Sequence, residues 1–285
     1  MKFSVIIPTL LSKTLSQTIE VLAKQTFDKS KFEVILVGYD DFSFLEKKKF
    51  PFSIKIIQSD YPLSPAKGRN LGAKNAKGDI IVFLDSDCIP RQEWLSILDM
   101  KFEDDSIAGV GGGVKFLENN YWDTSDNFSF FHDFLISHRR KFKKEFASLN
   151  LAIRKNIFEE VHGFDETFPA PSGEDFDLTK RISNLGYKLL FEPDAWVIHD
   201  SQRNSLSKLW KHSIGIGYYS TKRKYFPRFM RKKIIILSLS PILALIALVY
   251  NYLKTPGSAR YLKYLPGVYI SKMGWLVGLS RSLRN

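Results

Sequence analysis

An α/β fold with a mostly parallel sheet and flanking helices, followed by C-terminal membrane helices, is the architecture this sequence predicts. Three observations predict it. Short β-branched apolar runs alternate with helical periodicities through the first ninety residues. The run 80–84, Ile-Ile-Val-Phe-Leu, fits a strand buried on both faces and ends abruptly in Asp85, Ser86 and Asp87. Far downstream, the stretch 234–253 is apolar apart from Ser238, Ser240, Pro241 and Asn251, and follows a basic cluster.

Taken in order, residues 3–9 read as a short buried strand stopped by Pro8. Ser12 or Thr14 can cap a helix on which Leu15, Ile19 and Leu22 share a face. Residues 32–37 form a second strand ending near Asp40 and Asp41, 53–57 a third, and 67–76 a helix before the strand at 80. This alternation gives a doubly wound layer and brings Thr9, Asp40, Asp85 and Asp87 to one sheet edge, where open α/β sheets bind ligands. Adjacent carboxylates repel and are costly to desolvate. A divalent cation bridging to a phosphorylated ligand relieves that cost, and oxygen ligands suit magnesium or manganese. A solvated acidic turn is the plainer alternative.

Further along, the aromatic and basic segment 119–146 places Phe128, Phe131 and Leu135 at helical spacing, as in core packing or on a lipid-facing helix. His132 and His138 read as hydrogen-bonded or surface histidines. Glu174, Asp175 and Asp177 open a helix that ends at Gly186, and their charges favour a helix N-terminus. A last strand, 195–199, ends in His199.

Charge is uneven. Positions 201–285 hold 16 Lys/Arg and no Asp or Glu, while the whole chain is +12, so the body before them is slightly acidic. The single cysteine, Cys88, precludes an internal disulfide. The opening residues, with Lys2 followed by a strand, predict no secretory signal. The positive charge brackets an apolar helix, which points to a membrane and not to nucleic acid.

The runs Ser4-Val-Ile-Ile-Pro-Thr9, Gly68-Arg-Asn-Leu-Gly72 and Gly78-Asp-Ile-Ile-Val-Phe-Leu-Asp-Ser-Asp87 resemble, in order, the family 2 inverting glycosyltransferases of the GT-A fold. Gly163-Phe-Asp-Glu166 and Gly173-Glu-Asp-Phe-Asp-Leu178 continue the resemblance. It implies a nucleotide-sugar donor and a divalent cation, Mg²⁺ or Mn²⁺. Pro8, Thr9, Asp40, Arg69, Asp85 and Ser86 would bind the donor, with Arg69 at the diphosphate. Asp85, Asp87 and His199 would hold the metal, and Asp175 would be the base, with Glu174 beside it. Gly38 and Tyr39 stand before Asp40 where relatives place their aspartates directly after the strand, leaving Asp40 and Asp41 both open as base contacts. The glycines of 109–113 match no dinucleotide or phosphate-loop spacing and read as a strand passing close to the sugar. Trp210 is only a weak echo of the Gln-x-x-Arg-Trp motif of processive members, so one sugar is added per acceptor.

The expected domains are a catalytic GT-A domain over 1–220, a basic collar over 221–233 and a membrane-associated helical region over 234–285. That region has one span at 234–253 and a possible second at 262–279. The collar predicts a catalytic domain facing the cytoplasm. The expected activity is transfer of a single sugar to a lipid-linked or cell-surface glycan at the cytoplasmic membrane face. Two alternatives stand beside it: a polyprenyl-phosphate sugar synthase, and a non-catalytic membrane-bound scaffold of the same fold.

Overall fold

The computed structural model describes residues 1–45, 48–220 and 233–283; most of the basic collar, 221–232, lies outside them. The strands are β1 (Phe3–Leu10), β2 (Phe32–Tyr39), β3 (Ser53–Gln58), β4 (Ile80–Leu84), β5 (Cys88–Pro90), β6 (Ile107–Phe116), β7 (Lys141–Phe142), β8 (Asn150–Arg154) and β9 (Lys188–His199). The helices are α1 (Leu15–Ala23), α2 (Pro65–Lys74), α3 (Trp94–Lys101), α4 (Tyr121–Phe131), α5 (Lys155–Glu160), α6 (Glu174–Asn184), α7 (Leu206–Tyr219), α8 (Lys233–Lys254) and α9 (Leu265–Ser282).

One sheet runs in the order β3-β2-β1-β4-β8-β6-β9-β5, with β7 on β9. Its first four strands are parallel, and every residue of β4 is buried, as a two-sided strand requires. Beyond β4 the pairing turns antiparallel at β8 and β6. The sheet is therefore mixed: β3, β2, β1 and β4 are its parallel part, and β8 is inserted antiparallel between β4 and β6. A doubly wound pattern is legible as far as β4 because α1 falls between β1 and β2 and α2 between β3 and β4; β8 alone reverses direction between β4 and β6, with no comparable local signal.

Two local expectations are corrected. β1 is not stopped by Pro8 but continues to Leu10. Pairing with β4 ends at Ile6, so Pro8 sits where β1 keeps only its β2 neighbour and its missing N–H interrupts no ladder bond to β4. Thr14 occupies the N-cap of α1 without a side-chain cap, because its hydroxyl is engaged elsewhere.

The chain groups into two units. The first comprises 1–115, 139–167 and 174–198; the second comprises 116–138, 168–173 and 199–285. The core of the first is built from β1, β2 and β4 with α1, including Phe3, Ile6, Ile35, Phe83, Leu15 and Ile19. Gly111 and Gly112 of β6 lie against the Phe146 ring and Asn150, so the crowding seen at this glycine run is between neighbouring segments of the protein. The second unit is helical: α4, α7, α8 and α9 pack on one another. His132 and His138 are buried in it, with His138 Nε2 2.9 Å from the His132 carbonyl oxygen.

Candidate active site

Thr9, Asp40, Arg69, Asp85, Ser86, Asp87, Glu174 and Asp175 all belong to the first unit. Their placement begins with backbone packing. β2 runs two residues past its expected end, because Gly38 there has φ +148°. A Cβ on it would stand 1.9 Å from the Thr9 carbonyl oxygen, so only glycine permits this approach. Asp40 is carried back over the end of β1. Its Oδ2 accepts from the Thr9 hydroxyl and from Ser12 N at 2.9 Å. Asp41 is exposed and accepts from Ser43 N at 2.9 Å within its own turn. Asp40 is thus the aspartate joined to Thr9.

α2 begins at a Ser64 cap followed by Pro65 and lies close on β1: a Cβ on Gly72 would be 2.4 Å from Ile6 Cγ2. This approach buries Arg69, whose side chain is 5% exposed. Arg69 Nη2 donates to Asp85 Oδ1 at 2.7 Å and Nη1 to Glu174 Oε1 at 3.1 Å, with the guanidinium 5.6 Å from the Phe164 ring centroid. Arg69, expected at the diphosphate, is held here by two carboxylates. The neighbouring Asn70 exchanges bonds of 2.9 Å with both backbone groups of Phe164. The three motifs around positions 69, 85 and 174 therefore meet at one guanidinium.

The acidic turn after β4 is fixed from α1. Thr14 and Thr18 hydroxyls both donate to the Ser86 carbonyl, at 2.9 and 3.0 Å. Asp85 and Asp87 are half-buried and present carboxylate oxygens, the donors that magnesium and manganese take, so this pair fits a divalent cation. Burial pushes the adjacent Cys88 thiol well above its ordinary range, and the charges of Asp87 and Asp85 add to the shift.

At the start of α6, Asp175 Oδ2 accepts from Ser148 N at 3.1 Å and Oδ1 from Phe176 N at 2.8 Å, which fixes the carboxylate. Asp177 does not cap the helix. It pairs with Arg181 at 2.8 Å, one turn along. Glu174 is 3% exposed in its side chain, and its Oε2 is buried without a hydrogen-bond partner among the described residues. Burial, then the charge of Asp175, pushes the Glu174 carboxyl up to about 7, against the pull of Arg69. Burial works against the charge of Arg69, but Asp85 and Glu174 outweigh it and hold the guanidinium above its ordinary value.

A raised carboxyl has a definite stability signature. The native chain keeps a proton on Glu174 that the unfolded chain releases, so this contribution is full below the ordinary value of 4.5 and is lost as pH rises through about 7. Thermal melts across that window will show wild-type Tm falling more steeply than that of Glu174→Gln. Parallel profiles would contradict the shift.

His199 ends β9 and groups with the second unit, where its Nδ1 lies 2.6 Å from Asn127 Oδ1 and its ring meets Phe131 edge-on at 4.9 Å. Asn127 Nδ2 donates to Asp123 Oδ2 at 2.9 Å, which orients the amide so that Oδ1 faces His199 and Nδ1 carries the proton. Nearby, buried Asp126 lies 3.0 Å from His212 Nδ1 and 3.4 Å from Arg203 Nη1. Trp210 packs against Gly274 of α9. Sequence reasoning took Thr14 only as a helix cap, and missed Thr18, Asn127 and Asp123. The signal was an i,i+4 spacing of small polar residues on helices otherwise read for their apolar faces.

Comparison with known proteins decides the family. The sequence profile of glycosyl transferase family 2 matches residues 4–162, more than half of the chain. The chain belongs to family 2. It is a glycosyltransferase, and Asp40, Asp85, Asp87, Glu174 and Asp175 all lie in its GT-A fold. Among relatives, the glycosyltransferase AglE of Haloferax volcanii is 27% identical over 220 residues, covering 75% of this chain and 71% of AglE. The pre-mycofactocin glycosyltransferase of Mycobacterium tuberculosis is 31% identical over 154 residues, 52% of this chain and 32% of that protein. Among solved structures, the mannosyltransferase PcManGT from Pyrobaculum calidifontis, in complex with GDP-Man and Mn²⁺, has a TM-score of 0.58 at 17% identity, covering 95% of this chain and 73% of its own. Staphylococcus aureus TarS 1–349 in complex with UDP-GlcNAc has a TM-score of 0.55 at 18% identity, covering 99% and 90%.

Proposed function

We propose that this family 2 enzyme moves one sugar, with inversion, from a nucleotide-diphospho sugar to a lipid-linked or cell-surface glycan at the cytoplasmic membrane face. The observation that carries the reading is the guanidinium of Arg69 joining Asp85 of the acidic turn to Glu174, whose neighbour is Asp175. Donor-binding and proton-accepting acids are thereby joined through one residue. Thr9 and Asp40 meet the nucleoside side of the donor, with Pro8 and Ser86 shaping the strand ends around it. Asp85 and Asp87 would hold magnesium or manganese, which would supply charge neutralisation for the departing diphosphate. Arg69 balances the acids around it and fixes their spacing. Asp175 takes the proton of the acceptor hydroxyl as its oxygen bonds to the anomeric carbon, and the carbon–oxygen bond to the diphosphate breaks with its electron pair on phosphate. A single displacement from the opposite face inverts the anomeric centre.

Incubation with a nucleotide-sugar panel and manganese, offering either a lipid-linked glycan or free polyprenyl phosphate, tests the acceptor. Transfer to the glycan that vanishes in Asp175→Asn is the expected result. Transfer to free phosphate that is indifferent to Asp175 would overturn it, since an ionised phosphate needs no base.

A further inference from the structure

α8 (Lys233–Lys254) is long and apolar enough to cross a membrane, with a mean hydropathy of 2.3. At helical rise it measures about 33 Å. Yet its packing is not that of a detached anchor. Ile236, Ser240, Ala244, Leu248 and Tyr252 form one buried stripe at strict fourth-residue spacing, continued by Thr255. At the N-terminal end the stripe meets Leu276 and Leu279 of α9, and Tyr269 donates to the Pro241 carbonyl at 3.4 Å. At the C-terminal end the Tyr252 ring packs, tilted, on that of Phe128 of α4 at 4.6 Å, and its hydroxyl donates to the Tyr261 carbonyl at 2.7 Å. α8 is therefore fastened along its whole length to the other helices of its unit.

Those helices are not apolar. α9 is clasped from behind by α7, with Gly217 against the Trp275 backbone and Gly278 against that of Ile214. α7 exposes Lys208 and Lys211, and α4 carries the buried Asp123 and Asp126. A crossing α8 would draw this assembly with it into hydrocarbon, where ionised groups are costly. The remaining circumference of α8 is open and apolar: Ile234 is 77% exposed, Ile242 59%, Ile246 60% and Leu253 81%. Basic residues stand at both ends in the sequence, those of 222–232 with Lys233 at the start of the helix and Lys254 at its end with Arg260 and Lys263 beyond, and there is no acid from 201 to 285. A span separates its two ends across the bilayer and carries its positive excess on one side. Two basic ends suit one anionic surface.

We infer that α8 does not cross the bilayer but lies in its plane, with the face of Ile242, Leu245, Ile246 and Val249 sunk among the acyl chains of an anionic membrane and both basic ends among its head groups. The inference rests on the membrane-associated reading above and replaces its span with a surface-embedded helix.

The test uses the full chain with phosphatidylcholine vesicles, with and without phosphatidylglycerol. Binding is expected to require the anionic lipid and to weaken with salt. The double variant Leu245→Glu/Ile246→Glu, altered only at exposed positions, is expected to bind about tenfold or more weakly while keeping its melting temperature. Fluorescent labels on cysteines introduced one at a time at Leu239, Ile246 and Leu253, quenched by lipids brominated at different acyl positions, then read depth. Equal shallow depths at all three support the inference. A deepest label at Ile246, between two shallow ends, would overturn the in-plane placement and leave membrane association standing. No vesicle binding at any salt would overturn both, as would a dimer in solution that the double variant converts to monomer without any lipid affinity in either form.

Discussion

Asp175→Asn will retain nucleotide-sugar binding while losing transfer by about 10²–10⁴-fold, the usual contribution of a positioned base. The side chain is half-buried and fixed by two backbone donors, Ser148 N and Phe176 N. Asparagine keeps the shape and one acceptor oxygen but turns an N–H₂ toward the other donor, at a local cost of about 1 kcal/mol. Melting temperature and donor affinity therefore separate a misfolded variant from a base-less one. A folded variant with normal donor affinity and normal turnover would remove Asp175 from the chemistry.

The second large effect is on stability. Arg69→Leu leaves Glu174 buried, with no cation and an acidic neighbour, and releases Asp85. Removing one member of a buried ion pair typically costs about 3–5 kcal/mol, because the abandoned charge is not rehydrated. Part of that cost is avoided if Glu174 protonates, so the loss will be larger at pH above about 7 than below it. Arg69→Lys will recover little. One ammonium does not reproduce two N–H groups aimed at different carboxylates. Urea unfolding at two pH values reads both effects. Wild-type stability in Arg69→Leu would mean that the pair is screened and contributes nothing.

These residues also show how much was legible in the sequence. β4 stood out because five apolar residues in a row, too short for a helix, fit a strand covered on both faces, and the acids directly after them must then stand at the sheet edge. Asp175 stood out by its place in an ordered set of motifs. The position of Arg69 was legible, but its partners were not. Its guanidinium is turned toward Asp85 and Glu174 by the depth at which α2 packs, and Gly72 sets that depth through a contact with Ile6 that no one-dimensional pattern carries. Gly38 behaved similarly: an apparent departure from the family spacing is the means by which Asp40 reaches Thr9. The apolar run of α8 was conspicuous in composition, while the buried stripe along it became visible only with its neighbours in place. The bonds of Thr14 and Thr18 were hidden because their hydroxyls serve a turn about seventy residues away in sequence.

At the centre of the account is a divalent cation held by the acids after β4 against the diphosphate of the donor. Calorimetric titration of nucleotide sugar into the full chain, with manganese present and then chelated, in wild type and in Asp87→Ala, addresses it directly. The predicted result is binding in wild type that depends on the metal, and loss of that metal-dependent increment in Asp87→Ala at unchanged melting temperature. Equal donor affinity in both proteins, with or without manganese, would contradict the claim and return Asp85 and Asp87 to a solvated acidic turn.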